Sequence, residues 1–114
     1  MDFKKLQARA IEIRVKYAEL EVKKHGRQWT REEVAQGFVG DVGDLMKLVM
    51  AKAGIREKEQ IDEKLAHELS DCLWCIIVLA DQYDVDLEQS FQQTMDELEK
   101  RIGKSFDGTS HSLL

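Results

Sequence analysis

No proline occurs among the 114 residues, and only two cysteines do. The lack of proline argues against short strands joined by proline-bearing turns. With 34% charged and 43% hydrophobic residues, long amphipathic helices fit better, so an all-α protein is expected. The two cysteines, Cys72 and Cys75, lie three apart in an apolar run, and Met1-Asp2-Phe3-Lys4 leads straight into a charged amphipathic pattern with no signal-peptide core. A reducing cytoplasm is the expected compartment. Long hydrophobic runs are also missing. The best candidate, Cys72 to Ala80, is bounded by Asp71 and Asp81 and falls well short of the roughly 20 residues that span a bilayer, so no membrane partner is expected. Nor is there an excess of positive charge. The 17 basic and 22 acidic residues leave a net charge of -5, which repels a polyanion and makes nucleic acid an unexpected partner. A chain this short has one core at most, burying roughly two-thirds of the surface that its unfolded form exposes.

What is present is helical periodicity. Phe3, Leu6, Ala10, Ile13, Tyr17 and Leu20 recur at spacings of three and four, which predicts a first helix from Phe3 to about Lys24, ended by His25-Gly26. Thr30-Arg31-Glu32-Glu33 reads as a capping box opening a second helix, which runs to Lys52 or Ala53 with Gly54 in the left-handed position beyond it. Gly37, Gly40 and Gly43 each disfavour that helix by roughly 1 kcal/mol relative to alanine. Their spacing predicts a row where another helix or a ligand approaches the backbone. Arg56 to Gln60 reads as a connection and Ile61 to about Tyr83 as a third helix, the most buried. After the turn Asp84-Val85-Asp86, Asp86 caps a fourth helix through Phe91, Met95, Leu98 and Ile102, closed by Gly103, and Lys104 to Leu114 reads as a tail.

The chemistry lies in paired acids. Asp41 and Asp44 stand three apart, as do Glu68 and Asp71, so each pair emerges from one helix face a turn apart. Both pairs sit among apolar residues: Val39, Val42, Leu45 and Leu48 around the first, Leu65, Leu69, Leu73 and Ile76 around the second. Like charges at that spacing repel, and dehydrating each anion costs several kcal/mol unless something compensates. If the second and third helices pack antiparallel, the facing pairs make an oxygen-rich cage suited to Mg²⁺ or Mn²⁺. The alternative is that these acids simply face solvent.

Trp29-Thr30-Arg31-Glu32-Glu33, Asp41-Val42-Gly43-Asp44-Leu45, Glu68-Leu69-Ser70-Asp71-Cys72-Leu73 and Asp86-Leu87-Glu88 resemble successive landmarks of the MazG-like all-α nucleoside triphosphate pyrophosphohydrolases, from Trp29 to about Arg101. The resemblance implies a bundle of about four helices spanning residues 1–103, with 104–114 as the tail. It also implies hydrolysis of a nucleoside triphosphate to monophosphate and pyrophosphate. Mg²⁺, with Mn²⁺ as substitute, would be held by Asp41, Asp44, Glu68 and Asp71 as the catalytic, metal-binding acids. The sequence departs from the family pattern in four places: D-x-x-D stands for E-x-x-E, Gly40 stands where many members carry a glutamate, Asp81 where they often have an asparagine, and Thr94 near where many carry a phosphate-binding lysine.

Three residues are candidates for substrate contact. Trp29 could stack on a base or staple the second helix, Lys47 could reach a phosphate or stay solvated, and Trp74 could fill the core or line a base pocket. Cys72 and Cys75 read as core, since a zinc site needs a second ligand pair and a redox cysteine needs a helix N-terminus. His25, His67 and His111 suggest no cluster. Because one such chain leaves apolar helix surface uncovered, a homodimer or dimer of dimers is expected. Two rival readings are a weakly catalytic metal- or nucleotide-binding module and a helical interaction protein with decorative acids.

Overall fold

The structure is a computed structural model that describes residues 2–54 and 60–106. Four helices account for its regular structure: α1 (Phe3–His25), α2 (Arg31–Lys52), α3 (Ile61–Gln82) and α4 (Leu87–Phe106). No strand occurs among the described residues.

The ends of the helices follow from local chemistry. The Asp2 carboxylate accepts from the Lys5 amide at 2.9 Å, and α1 stops where Gly26 turns left-handed at φ 79° and donates its N–H to the Val22 carbonyl. Lys23, Lys24 and His25 in its last turn offset the partial negative charge of that end. The capping box of α2 is complete: Thr30 Oγ1 accepts from the Glu33 amide at 3.2 Å, and Glu33 Oε1 accepts from the Thr30 amide at 3.1 Å. Beyond α2, Gly54 takes φ 82°, as the sequence predicts. Asp86 Oδ1 accepts from the Gln89 amide at 3.1 Å and caps α4. That helix does not stop at Gly103 but continues to Phe106, because one glycine costs a helix only about 1 kcal/mol. The predicted connection at 56–59, His111 and the tail beyond Phe106 lie outside the described residues.

The chain forms two compact units, Met1–Asp84 and Val85–Leu114. In the first, α3 packs against both α2 and α1. Three contacts fix the direction of the α2–α3 pair: Arg31 reaches the Gln82 carbonyl, Asp41 meets Cys75, and Lys52 meets Asp62. One register number falls as the other rises, so the two helices are antiparallel. The core lies mainly on α3, where Cys72, Cys75, Ile77, Val78 and Ala80 are buried against Val34, Leu48 and Ala51 of α2 and Ala10 of α1. The second unit is α4, which has no buried residue and exposes Phe91, Met95 and Ile102.

Two expectations are corrected by packing. Of the predicted apolar stripe of α1, Ala10 is buried and Phe3 and Ile13 are half-buried, but Leu6, Tyr17 and Leu20 are exposed, while Arg14, Ala18 and Glu21 are half-buried. A charged pair thus shares the inward face with part of the stripe. Nor does another helix of the described residues approach Gly40 or Gly43, since a Cβ at either would meet no atom within 4 Å. Only Gly37 is approached, by the Trp29 ring, at 3.7 Å from where a Cβ would stand.

Candidate metal centre

The antiparallel pairing of α2 and α3 places Asp41, Asp44 and Glu68 together, one carboxylate oxygen from each lying within 4.8 Å of the others. Desolvation, followed by the negative charges of Asp41, Asp71 and Asp44, raises the pKa of Glu68. Its Oε1 is buried with no hydrogen-bond partner among the described residues. Such an oxygen is costly unless something positive reaches it. Three carboxylates, one of them with a buried unpartnered oxygen, are the hard donor set that Mg²⁺ or Mn²⁺ takes, so these residues fit the expected ion.

Asp71, the fourth predicted acid, is not in that group of three. It sits about one turn further along α3 than Glu68. Its Oδ2 lies 3.2 Å from Nε2 of His67. Sequence reading found no role for His67, although its four-residue offset from Asp71 was legible. Asp41 is held from the other side: the buried thiol of Cys75 donates to Asp41 Oδ2 at 3.4 Å. Burial and the neighbouring Asp41 push that thiol up to about 12, so it keeps its proton and remains a donor. Cys75 is thus core, as expected, and also touches the site. Cys72 is buried beside it with its pKa likewise raised by burial.

A hollow lies on either side of the acids. One, of about 460 Å³, is bordered by Asp44, Lys47, Glu63, Lys64, His67 and Glu68. Lys47 Nζ stands 3.9 Å from Asp44 Oδ1, both groups being exposed. The other, of about 470 Å³, has Asp41 and Asp71 on its wall with Trp29, Tyr17 and Trp74. The Tyr17 and Trp74 rings meet with centroids 5.7 Å apart and tilted by 49°, and Trp74 Nε1 donates to the Ala10 carbonyl at 3.0 Å. Trp29 remains 46% exposed, which suits a wall better than a core. Lys64 and Tyr17 escaped the sequence reading because lysines and lone tyrosines on helices rarely signal a site. Thr94 turns its hydroxyl onto the Ser90 carbonyl of its own helix, at 2.8 Å.

Fold and site together define an all-helical protein with a carboxylate group suited to a divalent cation. The chain belongs to the family of the MazG nucleotide pyrophosphohydrolase domain, whose family model matches residues 27–106. It is 33% identical over 72 residues to the Gene 37 protein of Mycobacterium phage L5, an alignment covering 60% of this chain and 62% of that relative. The chain thus spans somewhat under two-thirds of the length of the relative it matches. No solved structure matches the chain. No helix among the described residues is long and apolar enough to cross a membrane.

Proposed function

We propose that the protein hydrolyses a nucleoside triphosphate to its monophosphate and pyrophosphate, with Mg²⁺, or Mn²⁺ in its place, held by Asp41, Asp44 and Glu68 and assisted by Asp71. The observation that carries this reading is the grouping of three carboxylates, one of which, Glu68, has a buried oxygen without a hydrogen-bond partner among the described residues. When bound, the cation would offset phosphate charge and lower the pKa of water. The residues of the chain do the rest. Lys47 and Lys64 border the acids on one side and are suited to anionic oxygens, while Trp29, Tyr17 and Trp74 on the other side offer a π-surface and the span for a base. Cys75 keeps one Asp41 oxygen engaged and so orients the carboxylate.

The test is incubation of the purified protein with Mg²⁺ and a panel of ribo- and deoxynucleoside triphosphates, canonical and damaged, with monophosphate and pyrophosphate both measured. Equal yields of the two support the reading. Phosphate release, or no product with either cation, overturns it, and nucleotide binding without product favours a binding module. Gly40, standing where a glutamate is expected and exposed here, is the feature that makes this second outcome worth measuring.

The protein would work as a homodimer or dimer of dimers. Val39, Val42, Met46 and Val49 of α2, and Leu69, Leu73 and Ile76 of α3, keep the three-and-four spacing of a helix-packing seam yet are exposed in the single chain. A second copy of this chain is the covering partner that such seams favour. Solution mass at micromolar concentration tests it, a monomer being the result against it.

A further inference from the structure

The family match begins at residue 27, so α1 precedes everything that it covers. Yet α1 carries the most enclosed ion pair among the described residues. Arg14 Nη1 donates to Glu21 Oε2 at 2.8 Å and Nη2 to Glu21 Oε1 at 2.9 Å, the two side chains being only 11% and 12% exposed. The residues are two helical turns apart, and the pair is bidentate. Glu21 Oε1 accepts a third bond, from the backbone N–H of Trp29 at 2.8 Å. A covered pair of this kind gains little net stability, because desolvation consumes most of the attraction. Its effect lies in what it holds still. Here it holds the backbone of Trp29, whose indole passes over Gly37 and forms part of the wall that also contains Arg14, Glu21, Asp41 and Asp71. The tryptophan is fixed at its backbone but left 46% exposed at its ring, the condition of a platform and not of a core residue.

We propose that Arg14 and Glu21 are positioning residues: their ion pair clamps the Trp29 amide and so presets the aromatic wall that receives the base of the nucleotide. This rests on the reading given under Proposed function. The guanidinium keeps the Glu21 carboxyl below the usual carboxylate range, so the acceptor stays ionised and the clamp closed at neutral pH.

The test uses three variants of the full chain. Glu21→Gln loses the ionic partner. The exchange Arg14→Glu with Glu21→Arg keeps an ion pair on α1 but leaves no acceptor for the Trp29 N–H. Trp29→Ala removes the platform itself. The clamp predicts that the first two raise KM for the nucleoside triphosphate about tenfold, the scale of one hydrogen bond to a charged group. It also predicts kcat within about twofold, since the acids are untouched, and unchanged inhibition by inorganic tripolyphosphate, which has no base. Adding Glu21→Gln to Trp29→Ala should change nothing further. Acrylamide quenching of Trp29 in a Trp74→Phe background reads the same clamp without turnover and should rise in both α1 variants. A normal KM in the exchanged pair, or unaltered quenching in Glu21→Gln, overturns the clamp. If Trp29→Ala raises KM and Glu21→Gln does not, the clamp alone fails. If Trp29→Ala also leaves KM unchanged, it is the reading of the hollow as a base site that fails, and the clamp with it.

Discussion

The two hollows have no lining residue in common, and each borders a different pair of the acids. On one side Asp44 and Glu68 look out on Lys47, Lys64 and His67, and on the other Asp41 and Asp71 look out on Trp29, Tyr17 and Trp74. The first offers charges on an exposed surface, and the second offers rings whose residues are held by the backbone N–H of Trp29 and the indole N–H of Trp74. On the proposed function, a nucleoside triphosphate would present its phosphates to the first side and its base to the second. Perturbing each side should therefore leave a different kinetic signature.

The largest effect is expected where the sides meet. Glu68→Gln should lower turnover by at least about 100-fold, the scale of losing charge stabilisation worth several kcal/mol. It should also raise the Tm of the metal-free protein, because it removes a carboxylate that repels Asp41, Asp44 and Asp71. Opposite signs for activity and stability identify a site strained for function. Mg²⁺ at about 100 times its Kd should stabilise the unaltered protein by about 2.7 kcal/mol and the variant by far less. Calorimetry with and without EDTA measures both, and a variant that melts lower while keeping its turnover would mean that the acids are structural.

Next comes the aromatic side. Trp29→Ala should raise KM by about 10- to 100-fold, the worth of one stacked base, with kcat nearly unchanged. Trp74 is a less clean target, because its indole also donates to Ala10 and truncating a packed tryptophan costs about 3–5 kcal/mol of stability. On the charged side, Lys47→Ala should raise KM only about two- to fivefold, as befits an exposed ion contact, and the difference should shrink as salt is added. Steady-state assays at low and high ionic strength separate the two. If Trp29→Ala proved salt-sensitive and Lys47→Ala did not, the sides would be assigned the wrong way round.

This contrast also marks what the sequence could disclose. The caps at Thr30 and Asp86, the end of α1 at Gly26, the left-handed Gly54, and the face shared by Asp41 and Asp44 depend on residues within one turn of each other. Such features follow from the chain's local geometry. The inward face of α1 does not. Hydrophobicity pointed to Leu6, Tyr17 and Leu20, but burial of Arg14 and Glu21 becomes tolerable only because each neutralises the other and the Trp29 loop supplies one more donor. The His67–Asp71 contact, by contrast, is a four-residue offset within one turn and so belongs with the local features, although the acid pattern alone gave His67 no role. Gly103 misled for another reason: a helix already capped and running absorbs one glycine.

The smallest effect isolates the rigidity of the aromatic side from its chemistry. Glu33 closes the cap of α2 behind Trp29, and Arg27 Nη1 donates to its Oε1 at 2.6 Å. Arg27 and, after it, the Thr30 amide hold the Glu33 carboxyl down to about 2, below its usual 4.5. Because the folded value is the depressed one, folding favours the anion. The stabilisation is complete above about pH 4.5 and fades as the pH falls toward 2. Glu33→Gln keeps a side chain able to complete the capping box but cannot hold a charge. The unaltered protein should therefore melt above Glu33→Gln at neutral pH, and the gap should close across that acid window and narrow with salt. Parallel melting curves at every pH would mean that the Arg27 contact restrains nothing, and the loop behind Trp29 would then owe its order to the Glu21 clamp and the Thr30 cap alone.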